Sequence, residues 1–199
     1  MSTSLKERDL LIVDLETTGL DPIIHEVLEV AAIRVHQESL EIQSTFTAKV
    51  VPQHPFTAEP KALEVNGYTL EAWKDAVWPS DVWPSFFDFA HNTILCSYAA
   101  VFEIGFLRET FKSYMKIPAD ADAREVFRFG PFARHIIDIP SIAWSLLGPV
   151  EKLGKDPVAE ILGLRPEEEP HRALNGATHA LAVLRAIKFH IGRQHGKAA

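Results

Sequence analysis

The apolar run Leu10-Leu11-Ile12-Val13, followed at once by Asp14-Leu15-Glu16-Thr17-Thr18-Gly19-Leu20, constrains the fold more than any other stretch of the chain. Four consecutive apolar residues, with β-branched Ile and Val among them, specify a strand buried on both faces. Asp14 and Glu16 stand two residues apart at its end, so their side chains leave the same side. Two carboxylates brought together repel unless something positive lies between them, and a divalent cation held by oxygen ligands is one answer. The other is a solvated strand end, with Asp14 and Glu16 capping the turn that follows. The dipeptide spacing alone does not choose between the two.

At 199 residues the chain is expected to form a single domain, with a core over about residues 8–191. Its 47% hydrophobic and 24% charged residues are ordinary for a soluble globular protein. No window approaches the ~18 apolar residues of a membrane span, and the start MSTSLKERDL has no apolar secretion segment. A single cysteine, Cys96, excludes an internal disulfide and fits a reducing cytoplasm. It sits in the apolar run Thr93-Ile94-Leu95-Cys96 and reads as a buried, inert thiol. A net charge of -7 argues against bulk attraction to nucleic acid or an anionic membrane, though not against gripping a few phosphates through metals. Basic residues gather at Arg124, Arg128, Arg134 and His135, and again at Arg185, Lys188 and Arg193. Both groups read as solvated faces rather than phosphate tracks.

Strands are expected over residues 8–14, 28–35 and 42–50, joined by short connections that suit an antiparallel meander. Helical spacing takes over after Pro52 and Pro55: a short helix before Asn66-Gly67, one capped by Thr69 with Glu71 in its first turn, and one over residues 80–90 with Pro84 in its first turn. A fourth strand (93–97), a helix (101–115), a polar loop (118–131) and a short buried strand (136–139) come next. Helices from Pro140 through Leu147, over 155–162 and over 174–190 complete the chain. Three early strands followed by strands alternating with helices specify an α/β fold: three antiparallel strands plus two further strands in one mixed sheet flanked by helices.

Three blocks make the chain resemble the DEDDh, or DnaQ-like, 3′–5′ exonucleases, the group of the bacterial DNA polymerase III proofreading subunit, exonuclease X and ribonuclease T. The first is Val13-Asp14-Leu15-Glu16-Thr17-Thr18-Gly19-Leu20, and the second runs from Ser97 to Leu107 and is similar to H-N-x-x-F-D-x-x-F-L. The third is His171-Arg172-Ala173-Leu174-Asn175-Gly176-Ala177, similar to H-R-A-L-x-D-A. Ala62-Leu63-Glu64-Val65-Asn66-Gly67 matches the family's connecting motif. No one block is specific; three in family order and spacing are.

The resemblance implies a ribonuclease H-like fold and two-metal removal of nucleotides from single-stranded DNA or RNA 3′ ends, releasing nucleoside 5′-monophosphates. Two divalent ions, Mg²⁺ or Mn²⁺, would be held by Asp14, Glu16 and Glu103, one of them weakly. His171 would take the proton from the attacking water. Thr17, Thr18, Gly19 and Leu20, with Phe102, would seat the terminal nucleotide. Members without extra domains are often dimers, so a homodimer stays open, and nothing in the motifs indicates a polymerase partner.

The chain also departs from the pattern. Glu103 replaces an aspartate and reaches about 1.5 Å further. Gly176 replaces the last aspartate, which removes a ligand and costs about 0.8–1.0 kcal/mol of helix stability relative to alanine. Ser97-Tyr98 replaces His-Asn. Water, Asn175 or His179 could fill the vacated position, the last favouring Mn²⁺ or Zn²⁺; or the chain binds nucleic-acid ends or a polymerase without cutting. Glu167, Glu168 and Glu169 read as a solvated charge run. Trp73, Trp78, Trp83 and Trp144 are not interleaved with basic residues and read as core or partner surface.

Overall fold

The computed structural model describes residues 4–116 and 132–196; the loop at 118–131, with Arg124 and Arg128, lies outside them. The strands are β1 (Leu10–Thr17), β2 (Val27–Val35), β3 (Ile42–Lys49), β4 (Thr93–Ser97) and β5 (Phe132–Asp138). The helices are α1 (Pro60–Val65), α2 (Pro79–Phe89), α3 (Ala100–Met115), α4 (Ile139–Leu147), α5 (Lys155–Ile161) and α6 (Ala173–Gly196). The strands form one sheet in the order β3-β2-β1-β4-β5. β1, β2 and β3 pair antiparallel, whereas β4 runs parallel to both β1 and β5. The sheet is therefore the expected mixed one, and β1 lies at its centre.

β1 runs further than its sequence suggests. Pairing with β2 continues past Asp14↔Ala31 to Glu16↔Glu29, with a bulge only between Glu16 and Thr17. Both carboxylates thus belong to a paired strand, with fixed direction, rather than to its frayed end. Side chains alternate across the sheet. Leu11, Val13 and Leu15 pack beneath α2 and α3 with Trp83, Phe86, Phe106 and Leu107. Leu10 and Ile12 face the other way, into a core built with Ala143, Val158 and the α6 stripe Ala173, Ala177, Ala180, Leu181 and Leu184. That stripe recurs every three or four residues, one face of a helix. Asp14 and Glu16 continue the Leu10–Ile12 side and so aim at the start of α6.

Two helical expectations are corrected. The segment after Thr69 makes one turn only: Thr69 Oγ1 accepts from the Ala72 amide at 3.0 Å, as a cap should. The chain is then drawn out extended, because Val77 donates to Lys49 and accepts from Val51, alongside a parallel bridge to Val50. In α2 it is Pro79 that occupies the first turn, and Pro84 lies inside the helix, where it leaves one carbonyl without its i+4 donor.

Arg185 and Lys188 are exposed, as expected, and they also hold a turn. Arg185 donates to the Leu40 carbonyl from Nε (3.2 Å) and Nη2 (2.6 Å), and Lys188 donates to Glu38, clamping the β2–β3 turn. Trp73 and Trp83 are buried, and Trp78 and Trp144 are exposed. Cys96 is fully buried, which raises its thiol pKa far above the usual range.

Candidate active site

The end of β1 is held open by its own turn. Thr17 Oγ1 donates to the Gly19 carbonyl (2.7 Å), and the Thr18 amide donates to Glu26 (2.8 Å) while its hydroxyl accepts from the Glu26 amide (2.9 Å). A Cβ on Gly19 would lie 2.4 Å from the His25 ring, so a side chain there would have to push the imidazole aside. These contacts leave Leu20 76% exposed at the tip. Leu20, Phe102, Val101, Tyr98 and Arg108 line a groove of about 720 Å³ between this turn and α3.

The third motif block is fastened to the same corner. Asn66, at the end of α1, donates from Nδ2 to the Thr17 carbonyl (2.8 Å), and the His171 amide donates to Val65 (3.1 Å). Arg172 forms a two-pronged bond to Glu29, Nε–Oε2 and Nη2–Oε1 both 2.8 Å, with its guanidinium 5.3 Å from the Trp73 ring centre. Glu29 stands directly opposite Glu16 across the β1–β2 ladder. Like charges so placed destabilise a sheet. Arg172 neutralises one of the two, and in doing so fixes the residue after His171.

Glu103, in the first turn of α3, is 3% exposed, and its Oε2 has no hydrogen-bond partner among the described residues. Burial raises its pKa to about 8, with help from the Asp14 charge and against a bond from Ser97. Burial likewise raises Glu16 to about 8, with the charges of Asp14, Glu167 and Glu29 adding. Asp14 rises only to about 6: burial lifts it and the neighbouring Lys155 pulls it back, with Glu167 raising it again and His171 lowering it. The charge of Asp14 thus acts on Glu16 and on Glu103, and that of His171 acts on Asp14.

Two further residues enter this corner, and the sequence did not single them out. Lys155, the first residue of α5, places Nζ 3.4 Å from Asp14 Oδ1 and 2.5 Å from Glu167 Oε2. Glu167 is the correction to the solvated-run reading: its side chain is 2% exposed, whereas Glu168 and Glu169 are exposed. No periodicity marks it, since it lies in a loop between Pro166 and Pro170. Glu29 could have been found, as a carboxylate in an otherwise apolar strand run Val27-Leu28-Glu29-Val30-Ala31. Asn175 is exposed on α6, and His179 is turned to the Arg165 carbonyl (Nε2–O 2.8 Å). At Gly176 a Cβ would lie 2.3 Å from Asp14 Oδ2, so the Asp14 carboxylate itself fills the space a side chain there would need.

Buried carboxylate oxygens, Glu103 Oε2 among those without a hydrogen-bond partner, have the chemistry of a hard divalent cation site. As they stand, no three His, Cys, Asp or Glu side chains among the described residues are gathered tightly enough to hold an ion.

A family model described as Exonuclease, RNase_T, matches residues 11–184. The chain is 29% identical over 175 residues to the PolC-type DNA polymerase III of Thermotoga petrophila, covering 88% of this chain and 11% of that protein. It is 31% identical over 113 residues to the PolC-type enzyme of Bacillus subtilis, covering 57% of this chain and 8% of that one. The chain therefore spans about a tenth of the length of these relatives. Among solved structures, E. coli Exonuclease I in complex with a dT13 oligonucleotide superposes with a TM-score of 0.75 at 16% identity, over 96% of this chain and 43% of that one. The fold, the three motif blocks and the matched family agree, and the chain belongs to the RNase_T family of DnaQ-like 3′–5′ exonucleases.

Proposed function

We propose that the chain is a divalent-metal-dependent exonuclease that removes nucleotides from the 3′ end of single-stranded DNA or RNA and releases nucleoside 5′-monophosphates. One observation carries this reading: the buried carboxyls of Glu16 and Glu103 both feel the charge of the half-buried Asp14, with pKa values near 8, 8 and 6. Buried carboxylates so arranged destabilise the fold, and they persist where a function uses them. E. coli Exonuclease I, of the same fold, is solved with single-stranded oligonucleotides, which supports the choice of substrate class.

Asp14, Glu16 and Glu103 would hold the metal, Mg²⁺ or Mn²⁺. When bound, a divalent ion supplies positive charge against the scissile phosphate and lowers the pKa of its bound water. The residues of the chain do the rest. His171, tied down through Val65 and through Arg172–Glu29, takes the proton from the attacking water. Leu20 and Phe102 face the groove and seat the terminal base and sugar. Thr17 and Thr18 spend their hydroxyls inside the turn and act by presenting Leu20.

The test is nucleotide release from 5′-labelled single-stranded DNA and RNA with Mn²⁺ and with Mg²⁺. A ladder shortening from the 3′ end is expected, and His171→Ala should slow it about 10²–10⁴-fold with an unchanged melting temperature. Failure of both metals on single-stranded and on mismatched ends would overturn the proposal and leave a protein that binds ends without cutting.

A further inference from the structure

In the family pattern a carboxylate stands at position 176, where this chain has glycine and the Asp14 carboxylate lies against the backbone of α6. What faces Asp14 across this gap is an ammonium, Lys155 Nζ, 3.4 Å away. It is a constructed arrangement and not a surface lysine lying nearby. The Lys155 side chain is 19% exposed, and its partner Glu167 is 2% exposed. The start of α5 is pinned by Tyr98, whose hydroxyl lies 3.1 Å from both the Leu153 and Gly154 carbonyls, and by Val158 and Ala159, fully buried against α6. The loop carrying Glu167 is fixed in turn by its amide donating to Asp156 Oδ1 (3.0 Å) and by the Arg165 carbonyl bonded to His179.

A protein built to take two divalent ions against Asp14 gains nothing from burying a third cation there, because like charges a few Å apart in a poorly solvated corner repel strongly. We infer that Lys155 is a resident cation of this site: latched by Glu167, its ammonium supplies at Asp14 the positive charge that a second divalent ion would bring, and the chain takes a single divalent ion. The inference rests on the exonuclease reading and deepens it. Glu167 serves as the anchor of the lysine, and Gly176 as the position that lets Asp14 lean back to meet it.

The experiment is an equilibrium titration of the full chain with Mn²⁺, following free ion by electron paramagnetic resonance and heat by calorimetry, without substrate. The unaltered chain should bind one Mn²⁺, and Asp14→Asn should abolish binding. Lys155→Met should admit a second ion or tighten the first by at least about tenfold, because a repelling charge is gone, while Lys155→Arg keeps the single ion. Two ions on the unaltered chain, or a Lys155→Met variant that neither admits a second ion nor binds the first more tightly, overturns the inference. The stoichiometry of the unaltered chain decides the matter even if a variant fails to fold. Two ions together with digestion of oligonucleotides sinks this inference alone; no bound ion and no digestion sinks the exonuclease reading with it.

Discussion

In a chelating buffer the protein should lose stability as the pH rises from about 5.5 to about 7.5, opposite to the behaviour of ordinary ion-paired carboxylates. Burial, then the charges of Asp14, Glu167 and Glu29, raise the Glu16 pKa to about 8; burial and Asp14 do the same for Glu103. Exposed, both groups ionise near 4.5. Between these values the folded chain keeps two protons that the unfolded chain has released. Acid therefore favours folding, and this stabilisation is lost as the pH climbs towards the folded values. At 1.36 kcal/mol per pH unit, two protons across about two units amount to ~5 kcal/mol. Asp14, at about 6, adds a smaller loss in the lower part of the range. Domains are stable by roughly 5–15 kcal/mol, and a chain of this length shifts by ~2–4 °C per kcal/mol, so the midpoint should fall by ~10–20 °C. Thermal unfolding followed by circular dichroism across the pH range measures it directly. Excess Mn²⁺ should restore most of the loss at the alkaline end, and Glu16→Gln with Glu103→Gln should flatten the slope. A midpoint that stays level or rises with pH under chelation would refute the reasoning.

Two substitutions probe how the site is held. Glu29→Gln removes the charge that pairs Arg172; breaking a buried pair costs ~3–5 kcal/mol, and with the guanidinium one-third exposed ~2 kcal/mol is expected, a fall of ~4–8 °C in the midpoint. Activity should fall further than stability does, because His171 loses its neighbour's anchor. Gly176→Ala would ordinarily gain about 1 kcal/mol of helix stability. Here the new Cβ would meet Asp14 Oδ2 at 2.3 Å, so Asp14 must turn; the stability gain should vanish and kcat drop about tenfold or more, read from paired melting and rate measurements.

The sheet was legible because its signals are local. An apolar run sets β1, alternation sets its two faces, and the parity of Asp14 and Glu16 places them on the α6 side. The extent of β1 was not legible, since pairing with β2 carries it past Asp14 despite the charged residues. The single turn after Thr69 escaped for a similar reason. Its cap is real, but Val77 is claimed by Lys49 and Val51, and tertiary pairing overrides the helical pattern. Glu167 escaped most completely. Three successive glutamates give no hint of which is buried, and the choice is made by a backbone bond to Asp156, eleven residues away, and by Lys155.

That last case bears on how a departure from a family pattern is to be read. Taken alone, glycine at 176 is the loss of a ligand, and the natural repair is to put an aspartate back. The geometry argues otherwise. The Asp14 carboxylate occupies the space that a side chain at 176 would need, and Lys155 stands against it, held by a carboxylate from a different loop. An aspartate at 176 would then collide with Asp14 while the ammonium still claimed it, adding a fourth carboxylate to Asp14, Glu16 and Glu103, with Glu167 still latched to Lys155. Restoring the motif at position 176 alone therefore worsens the repulsion that already raises Glu16 and Glu103, whereas removing the ammonium at 155 first leaves Asp14 free to meet a second ion.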